Sequence, residues 1–497
     1  MNKTTLTDIR HTTSIRKYMF QFSMKHYFSV MFVSILLLSS CGGRPQNSVG
    51  GEVTGERSSS WAEPRPYGMV LVSRGSIEMG PAESDSLWNI VANPKGVSVD
   101  NFWMDETEVS NSKYRQFVHW VRDSIIRERL ADPAMGGNEL YKITEDAYGD
   151  PIKPYLDWKR PIPTRPLEEE EEAIKSVTFV HPITGERGLD PKQMNYIYEW
   201  FDHVEAAKRR NRLDHTQRNL NTDYANNAEE VIMISKDTAY FDENGMAVNE
   251  TIVRPLSSLY DFLHTKIVNI YPDTTVWIND FNNANNEPYM RMYFSHSGYN
   301  DYPVVGVSWE QAMAFSHWRT QFYRMGQKKG ERRIEEFRLP TEGEWEFAAR
   351  NGQTENIYPW DQEGTINEKN NCFMANFKPG EGNYTKDGNL IPARVGSYLP
   401  NKFGIYDLAG NVSEWTSTAY TESGSALMND MNPEYRYDAA KEDPYAIKKK
   451  VVKGGSWKDI GINIRGDLRD SEYQNQPRSY IGFRCVRTQI GFAKSRR

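Results

Sequence analysis

Cysteine is scarce in this chain, with three residues in 497. So few cysteines exclude a small scaffold held together by several disulfides. An excess of positive charge is also missing, since 60 Lys and Arg face 67 Asp and Glu, for a net charge of −7. Because a nucleic-acid binder needs a basic face, we expect no nucleic-acid partner. The 38% of hydrophobic and 12% of aromatic residues still suffice for a large core, which excludes global disorder.

The common catalytic motifs are absent as well. None of the nine histidines stands in HxH or HExxH spacing, so the usual zinc motifs are excluded. GxSxG and the P-loop lysine motif are missing too. We therefore expect surface or packed histidines, and the sequence nominates no catalytic residue.

The apolar stretch at residues 27–40 has 14 residues, fewer than the roughly 20 that cross a bilayer. Lys25 and His26 precede it and small residues follow it, which is the order of a secretory signal. Residues 38–41, LSSC, resemble the bacterial lipobox, in which the cysteine becomes the lipidated first residue. We therefore expect a signal peptide at 1–40.

Three expectations follow for the ends of the chain. The true start is Met24, and Cys41 carries acyl chains such as palmitate. Residues 41–60 are rich in Gly and Ser and form a flexible tether. Residues 491–497 form a basic tail.

Hydrophobic patterns predict the elements of the body. Residues 68–80 alternate apolar and polar side chains, as a strand does. Ser110 is a candidate N-cap for a helix whose apolar residues have helical spacing; they are Tyr114, Phe117, Val118 and Val121. Two further helices are predicted by capping boxes, at Ser308-x-x-Gln311 and at Thr341-x-x-Glu344.

Residues 121–290 differ in character, with 19 basic and 30 acidic side chains and a net charge of −11. We interpret this stretch as an acidic insertion that decorates the fold and offers a surface to partners. Within it we predict a helix over 193–214 and strands at 231–242 and 274–281. The candidate aromatic anchors for a partner are Trp158, Tyr196, Trp200 and Trp277. The alternative is that they only pack the insertion onto the core, which for any single one of them is the more common role.

Eight segments resemble the formylglycine-generating enzyme and sulfatase-modifying-factor family. In chain order they read SRGSIEMG, DETEVSNSKYRQFV, PVVGVSWEQAMAF, RLPTEGEWEFAAR, YPWD, YDLAGNVSEWT, VKGGSW and IGFRCV. They place the family domain at 61–120 and 291–490. The resemblance implies an α+β, C-type-lectin-like fold with two helices, small twisted sheets and much loop, here carrying the long acidic insertion.

A narrower resemblance covers nearly the whole chain. The lipobox, the family domain, the acidic insertion and the segment 271–312 together resemble the GldK/PorK lipoproteins of the type IX secretion and gliding machinery. That resemblance implies self-association into a ring with a GldN/PorN-type partner. It also implies a lipid anchor on the periplasmic face of the outer membrane.

Active members of the enzyme family oxidise a substrate cysteine with a Cys pair that binds copper(I). Aligned on the GGSW motif, the equivalent positions here are Asp459 and Ile464, and residues 454–484 contain no cysteine. Because Cu(I) needs soft thiolate ligands, we expect neither copper nor oxidase activity. The chain is therefore predicted to be a pseudo-enzyme.

Two cysteines remain beyond Cys41. Cys485 matches the GFRC motif, and its usual partner position in some family members is Ser316 here. A Cys372–Cys485 disulfide is compatible with an oxidising periplasm. Two buried unpaired thiols are the alternative that we favour.

The resemblance also implies structural calcium, held by hard oxygen ligands. The first set consists of the side chains of Asp407 and Glu414 and the carbonyls of Gly410 and Val412. The second set consists of the side chains of Asn376 and Asp387 and the carbonyls of Phe377 and Asn389. The alternative is that these carboxylates only cap turns.

Three functions compete at this stage. The first is a non-catalytic, outer-membrane-anchored ring component of the type IX secretion system. The second is a periplasmic formylglycine-generating or oxidase-like enzyme, and the third is a lectin-like binding lipoprotein. The missing Cys pair argues against the second, and the match over nearly the whole chain favours the first.

Overall fold

The computed structural model describes residues 63–491, apart from 85–89, 92, 134–137, 147, 181–184, 186, 214–230, 244, 329–333, 381 and 441–442. The expected signal peptide, Cys41, the tether and most of the basic tail lie outside the described residues. From Glu63 onward the chain belongs to one compact unit, which includes the predicted insertion.

Most strands are short and pair in small antiparallel sheets. The described strands are β1 (Met69–Val72), β2 (Gly75–Met79), β3 (Lys95–Val99), β4 (Phe102–Asp105), β5 (Lys142–Glu145), β6 (Pro151–Leu156), β7 (Thr178–Val180), β8 (Arg187–Leu189), β9 (Asn195–Phe201), β10 (Met233–Phe241), β11 (Ala247–Pro255), β12 (Leu263–Asn269), β13 (Ser413–Ala419), β14 (Lys449–Lys453), β15 (Asp470–Tyr473), β16 (Ile481–Gly482) and β17 (Val486–Thr488). The largest sheet has the order β15-β14-β13-β16, and a second has the order β1-β4-β17. Only the short β13–β16 pairing is parallel among these strands.

Two long helices and several short ones accompany these sheets, so the α+β prediction is confirmed. The described α-helices are α1 (Asn111–Leu130), α2 (Glu168–Lys175), α3 (His203–Ala207), α4 (Val276–Asn279), α5 (Glu287–Met292), α6 (Trp309–Gly326), α7 (Glu342–Ala349) and α8 (Gly424–Leu427). Within the described residues, no helix has the length and apolar composition of a membrane span.

The predicted helix starts are confirmed. Ser110 accepts a hydrogen bond from the amide of Lys113 at the start of α1. Ser308 caps α6 with the predicted partner Gln311, and the α7 capping box that begins at Thr341 also forms. These caps satisfy amides that have no partner within the helix. Residues 68–80 form strands as predicted, divided into β1 and β2.

Helices α1 and α6 pack face to face through aromatic rings. The rings of Tyr114 and Phe315 stack with centroids 5.6 Å apart. Those of Phe117 and Trp318 stack at 5.0 Å. The predicted apolar positions of α1 are therefore core positions, and large rings form the core because they bury much apolar area.

Part of the predicted insertion completes this core. The Tyr114 hydroxyl donates to the carbonyl of Ile270, with an O–O distance of 2.9 Å. On the β9–β12 sheet, the ring of Tyr198 stacks on His317 of α6 at 4.5 Å. Burial lowers the pKa of His317 to about 4, so this histidine is neutral and packed, as expected. These strands therefore support the core as well as covering it.

Two secondary-structure predictions within residues 121–290 were wrong in whole or in part. Of the helix predicted over 193–214, residues 203–207 form α3, but residues 195–201 form strand β9, in which Tyr196 and Tyr198 are buried and Ile197 and Glu199 are exposed. That period of two is the period of a strand. Within 274–281 the chain forms the one-turn helix α4 rather than a strand.

The predicted aromatic anchors lie against this chain itself. Tyr196 and Trp277 are buried in the core, so they cannot anchor a partner. Trp158 stacks on Trp120 at 4.9 Å, and Trp200 stacks on His264 at 5.1 Å. Tyr196 and Trp277 are therefore excluded as anchors, whereas Trp158 and Trp200 are half-buried.

Candidate functional site

The loop before β13 has an unusual backbone. The φ angles of Asp407, Gly410 and Asn411 are +56°, +73° and +59°, in the left-handed region that non-glycine residues rarely adopt. At position 410 glycine is required, since a Cβ there would lie 2.2 Å from the Asn376 carbonyl oxygen. Backbone of this kind persists where the surroundings enforce it, often at functional sites.

Glu414 on β13 forms a fully buried ion pair with Arg484. The Arg484 Nε and Nη2 atoms lie 2.7 and 2.5 Å from the two carboxylate oxygens. Burial opposes the charge of Arg484, but the Glu414 carboxylate raises its pKa. The indole N–H of Trp345 donates to the same carboxylate at 2.8 Å. The parallel register of Glu414 with Gly482 brings the two partners together.

Two buried carboxyl groups, those of Glu108 and Asp407, lie beside this ion pair. Glu108 is fully buried and Asp407 nearly so. Burial raises the pKa of Glu108 well above its ordinary value, and the neighbouring Asp407 charge adds to the effect. Burial likewise raises the pKa of Asp407 to about 6. Two carboxylates side by side disfavour double ionisation, so this pair would bind a proton or a cation.

Amide side chains connect the two predicted calcium sets. The side-chain Nδ2 of Asn411 donates to Glu108 Oε1 at 2.8 Å, and its side-chain Oδ1 accepts from Asn376 Nδ2 at 3.1 Å. In the second set, Asp387 accepts hydrogen bonds from the amides of Phe377 and Asn389 at 2.7 and 3.1 Å. Asn376 of the second set is therefore joined through Asn411 to the carboxylates beside the first set, whereas half-buried Asp387 bonds only to these two amides. We call the joined residues the buried acidic network: Glu108, Asn376, Asp407, Asn411, Glu414 and Arg484.

Three oxygens of this network are buried and accept no hydrogen bond: Glu108 Oε2, Asn376 Oδ1 and Asp407 Oδ1. Such atoms are costly unless they find a partner, and carboxylate and amide oxygens are ligands that suit Ca²⁺. Both Glu414 oxygens are already bonded to Arg484 and Trp345. The geometry therefore favours Glu108 over Glu414 as the carboxylate that faces Asp407.

Sequence reasoning missed Glu108. It lies in DETEVSN with two other acidic residues, Asp105 and Glu106, and no local pattern distinguishes it from them. Its position depends on Asn411, about 300 residues later. In the described part of the chain, no group of three or more His, Cys, Asp or Glu side chains is arranged to hold a metal. Amide or carbonyl oxygens would thus have to complete any cation site.

Asp459 and Ile464, which the sequence resemblance aligns with the family's Cys pair, have ordinary structural contacts. Asp459 accepts hydrogen bonds from the amide and hydroxyl of Ser456, at 2.9 and 2.6 Å. Ile464 is fully buried, in an apolar cluster with Phe377 and Tyr358. A carboxylate that fixes a turn and an alkyl group in the core occupy these two positions.

A neighbouring segment covers the GGSW motif. The rings of Trp277 and Phe281 lie 6.2 and 5.3 Å from the ring of Trp457. Between them, Asp280 accepts from the amide and hydroxyl of Ser479, at 2.7 and 2.8 Å. The segment is therefore fixed by both apolar and polar contacts beside the GGSW motif.

Cys372 and Cys485 are both free thiols, but only Cys485 is buried. The prediction of unpaired cysteines is confirmed, and that of a buried Cys372 was wrong. Ser316 lies where the resemblance placed it, with Oγ 3.5 Å from the Cys485 sulfur. Burial raises the pKa of the Cys485 thiol to about 11, so this thiol is not a reactive thiolate.

Comparison with known proteins finds relatives named as active and as inactive formylglycine-generating enzymes. The formylglycine-generating enzyme of Streptomyces coelicolor is 32% identical over 196 residues, which cover 38% of this chain and 54% of that protein. The inactive C-alpha-formylglycine-generating enzyme 2 of Bos taurus is 32% identical over 197 residues, covering 37% and 50%. The chain thus spans about half the length of these curated relatives.

Among solved structures, PvdO from Pseudomonas aeruginosa aligns over 87% of this chain and 100% of its own, with 13% identity and a TM-score of 0.41. Residues 56–489 match the family described as the sulfatase-modifying factor enzyme 1-like domain. That match covers most of the chain, so this protein belongs to the sulfatase-modifying factor enzyme 1-like domain family.

Proposed function

We propose that the protein is a non-catalytic lipoprotein on the periplasmic face of the outer membrane. In this proposal it is a structural ring component of the type IX secretion system and assembles with a GldN/PorN-type partner. The observation that carries the non-catalytic part is the pair of residues at the family's cysteine positions. Asp459 fixes a turn through Ser456, and Ile464 is a buried alkyl side chain.

Neither residue can replace a thiolate. Cu(I) binds soft sulfur ligands, whereas a carboxylate is hard and an alkyl group has no lone pair. The described structure contains two cysteines that could act instead. Cys485 is buried and its thiol has a raised pKa, and Cys372 has no second cysteine beside it in the described structure. The rings of Trp277 and Phe281 also pack against Trp457 and cover the surface of the GGSW motif.

A peptide assay tests this part of the proposal. Incubated with copper, oxygen and a peptide that contains CxPxR, the protein should leave the peptide cysteine unchanged, because no thiol pair is present to bind copper. The formylglycine-generating enzyme of Streptomyces coelicolor, run in parallel, supplies the positive control. Mass spectrometry measures the aldehyde product, and catalytic amounts of it from this protein would overturn the non-catalytic assignment.

Assembly is proposed to use the β10–β11 hairpin of the acidic insertion. Its outward side chains include five large apolar ones, with exposures from 44% to 66%: Met233, Tyr240, Phe241, Met246 and Val253. Contiguous exposed apolar groups mark protein interaction sites, and Tyr240, Phe241 and Met246 lie together at the hairpin tip. The net charge of −11 on residues 121–290 would favour a partner with basic patches, mainly through association rate and register.

Three substitutions at the hairpin tip test the assembly surface. Tyr240→Ser, Phe241→Ser and Met246→Ser together should prevent the partner from co-purifying with the membrane complex, since removal of central apolar contacts typically weakens an interface strongly. The control is the pair Leu399→Ser and Leu427→Ser, which changes exposed leucines elsewhere. Normal co-purification and secretion with the hairpin variant would show that the contacts lie on another surface.

We also propose a structural calcium ion in the buried acidic network. Support comes from the three unpartnered oxygens of Glu108, Asn376 and Asp407 and from the hard-ligand preference of calcium. The ion would neutralise the Glu108–Asp407 pair and hold the loop that precedes β13. Its role would be stability, with no part in chemistry.

Removal of calcium should lower the melting temperature of the wild type. With calcium at about 100 times its Kd, the stabilisation is about 2.7 kcal/mol, or about 3 °C for a chain of this size. Glu108→Gln with Asp407→Asn should abolish the response, and Glu335→Gln, an exposed carboxylate, should retain it. Equal melting temperatures for metal-stripped wild type with and without calcium would contradict the proposal.

A further inference from the structure

The β10–β11 hairpin has a second exposed apolar group at the end opposite its tip. We call it the hairpin base, and its side chains are between 53% and 77% exposed: Val204, Met233, Val253, Leu259 and Tyr260. The turn at Leu259–Phe262 connects its parts. Lys236 Nζ of β10 donates to the Tyr260 carbonyl at 3.0 Å, and the Asp202 amide, which precedes α3, donates to the Phe262 carbonyl at 2.9 Å. The hairpin base is therefore one surface built from three elements.

The two ends of the hairpin carry opposite charge. Residues 240–250 at the tip contain three acidic side chains and no basic one. Residues 203–212 at the base contain four basic side chains and one acidic one, although residues 121–290 as a whole are strongly acidic. Arg254 of β11 adds another basic group there, with its Nε 3.4 Å from the Asp261 carboxylate. Apolar groups with complementary charged rims are what two contacting protein surfaces require.

The tip has a fixed shape before any partner binds. The Asp242 amide donates to the Met246 carbonyl at 2.9 Å, and the Asp242 carboxylate accepts from the Met246 amide at 2.7 Å. The side chain of Asn249 both donates to and accepts from the backbone of Ile267 on β12, each at 2.9 Å. A surface that is already ordered loses less conformational entropy when it binds.

The tip and the base of one chain cannot meet each other. Strand β10 has nine residues, and at about 3.3 Å per residue it separates the two ends by about 27 Å. Its pairing with β11 over the whole length keeps the hairpin extended. A contact between tip and base must therefore join two copies. Because such a contact uses two different surfaces, it repeats from copy to copy and generates a ring or a filament.

We propose that the hairpin tip of one copy docks on the hairpin base of the next copy. The apolar side chains of the tip cover those of the base, and the carboxylates of the tip face the basic residues that follow α3. This inference rests on the proposed use of the hairpin in assembly, and it names a second copy of this chain as the neighbour that the hairpin contacts.

Sedimentation velocity of the chain from Gly42 onward, which retains every described residue, tests the contact without lipid or partner. The unsubstituted chain should form species larger than a dimer as its concentration rises, and added salt should weaken them. Reversal of the tip charges by Asp242→Lys, Glu243→Lys and Glu250→Lys should weaken self-association about a hundredfold, since like charges would then face each other.

The base variant Lys208→Glu, Arg209→Glu and Arg210→Glu reverses three exposed charges and should weaken self-association to the same extent. An equimolar mixture of the tip and base variants should associate again, because every tip in the mixture then finds a base of opposite charge. That recovery would also show that both variants are folded. The control reverses three exposed carboxylates elsewhere, with Glu335→Lys, Glu363→Lys and Glu368→Lys, and should associate as the unsubstituted chain does.

A chain that stays monomeric at every concentration would overturn the inference, as would a mixture of the two variants that does not associate. Association that stops at a dimer would also contradict a repeating tip-to-base contact. These results are separate from the fate of the proposed function. If the serine variant of the tip lost the GldN/PorN-type partner while the unsubstituted chain remained monomeric, the hairpin would bind that partner rather than a second copy.

Discussion

Replacing Arg484 by methionine should lower the free energy of unfolding by about 3–5 kcal/mol, the usual cost of breaking a buried ion pair from one side. Arg484 holds both oxygens of Glu414, and both side chains are almost completely buried. Its charge also faces Glu108 and Asp407. The variant would therefore leave several buried carboxyl groups without their cation.

Chemical denaturation of the two proteins measures this loss. The matched control is Arg436→Met, since Arg436 forms an ion pair with Glu434 but is 58% exposed. An exposed pair contributes about 0–1 kcal/mol, so the control should remain close to the wild type. Similar losses for the two variants would mean that burial does not determine the strength of the Arg484 pair.

A further consequence links this variant to calcium. If calcium binds between Glu108 and Asp407, its charge replaces part of the lost guanidinium charge, and the Arg484→Met defect should be smaller with calcium than with chelator. An identical defect in both conditions would separate the ion pair from the proposed cation and would argue against calcium in the buried acidic network.

Replacing Cys41 by alanine should remove nearly all of the protein from the outer-membrane fraction. Acyl chains can be attached only to a cysteine in the lipobox, and in the proposed anatomy they are the main anchor. Ser39→Ala is the control, because it changes the neighbouring sequence and retains the cysteine. Fractionation and the mass of the mature N-terminal peptide give the measurement.

A salt wash gives this experiment a second expected feature. Any Cys41→Ala protein that remains with the membrane should be released by high salt, since electrostatic contacts with lipid are screened and acyl anchors are not. Salt-resistant retention of Cys41→Ala, in cells that lack the partner, would contradict the lipid anchor.

Local sequence signals predicted the helix starts correctly. A cap joins residues only three positions apart, so Ser308 with Gln311 and Thr341 with Glu344 are readable from the sequence. The strand β9 was mistaken for a helix because its aromatic residues satisfy both periods over a short window. What decided it was the pairing of β9 with β12, more than 60 residues later.

The residues of the candidate site also fall into those that the sequence identified and those that only the structure revealed. Asp407, Asp387, Asp459 and Ile464 were identified by position in sequence motifs, and the residue types alone excluded a copper thiolate pair. Glu108 could not be found in this way, because its partner Asn411 is about 300 residues distant. The role of Glu414 also needed the structure, since only the β13–β16 register places Arg484 against it.

By itself, the sequence determined the family motifs, the helix caps, the missing cysteines and the candidate lipobox, all of which depend on residue identity or short-range spacing. Tertiary structure alone decided that strands within residues 121–290 complete the core, that Tyr196 and Trp277 are buried, and that Glu108 faces Asp407. The physical reason is that burial and charge pairing are set by contacts between distant segments. Such contacts depend on how the whole chain folds, and no local pattern of residues encodes them.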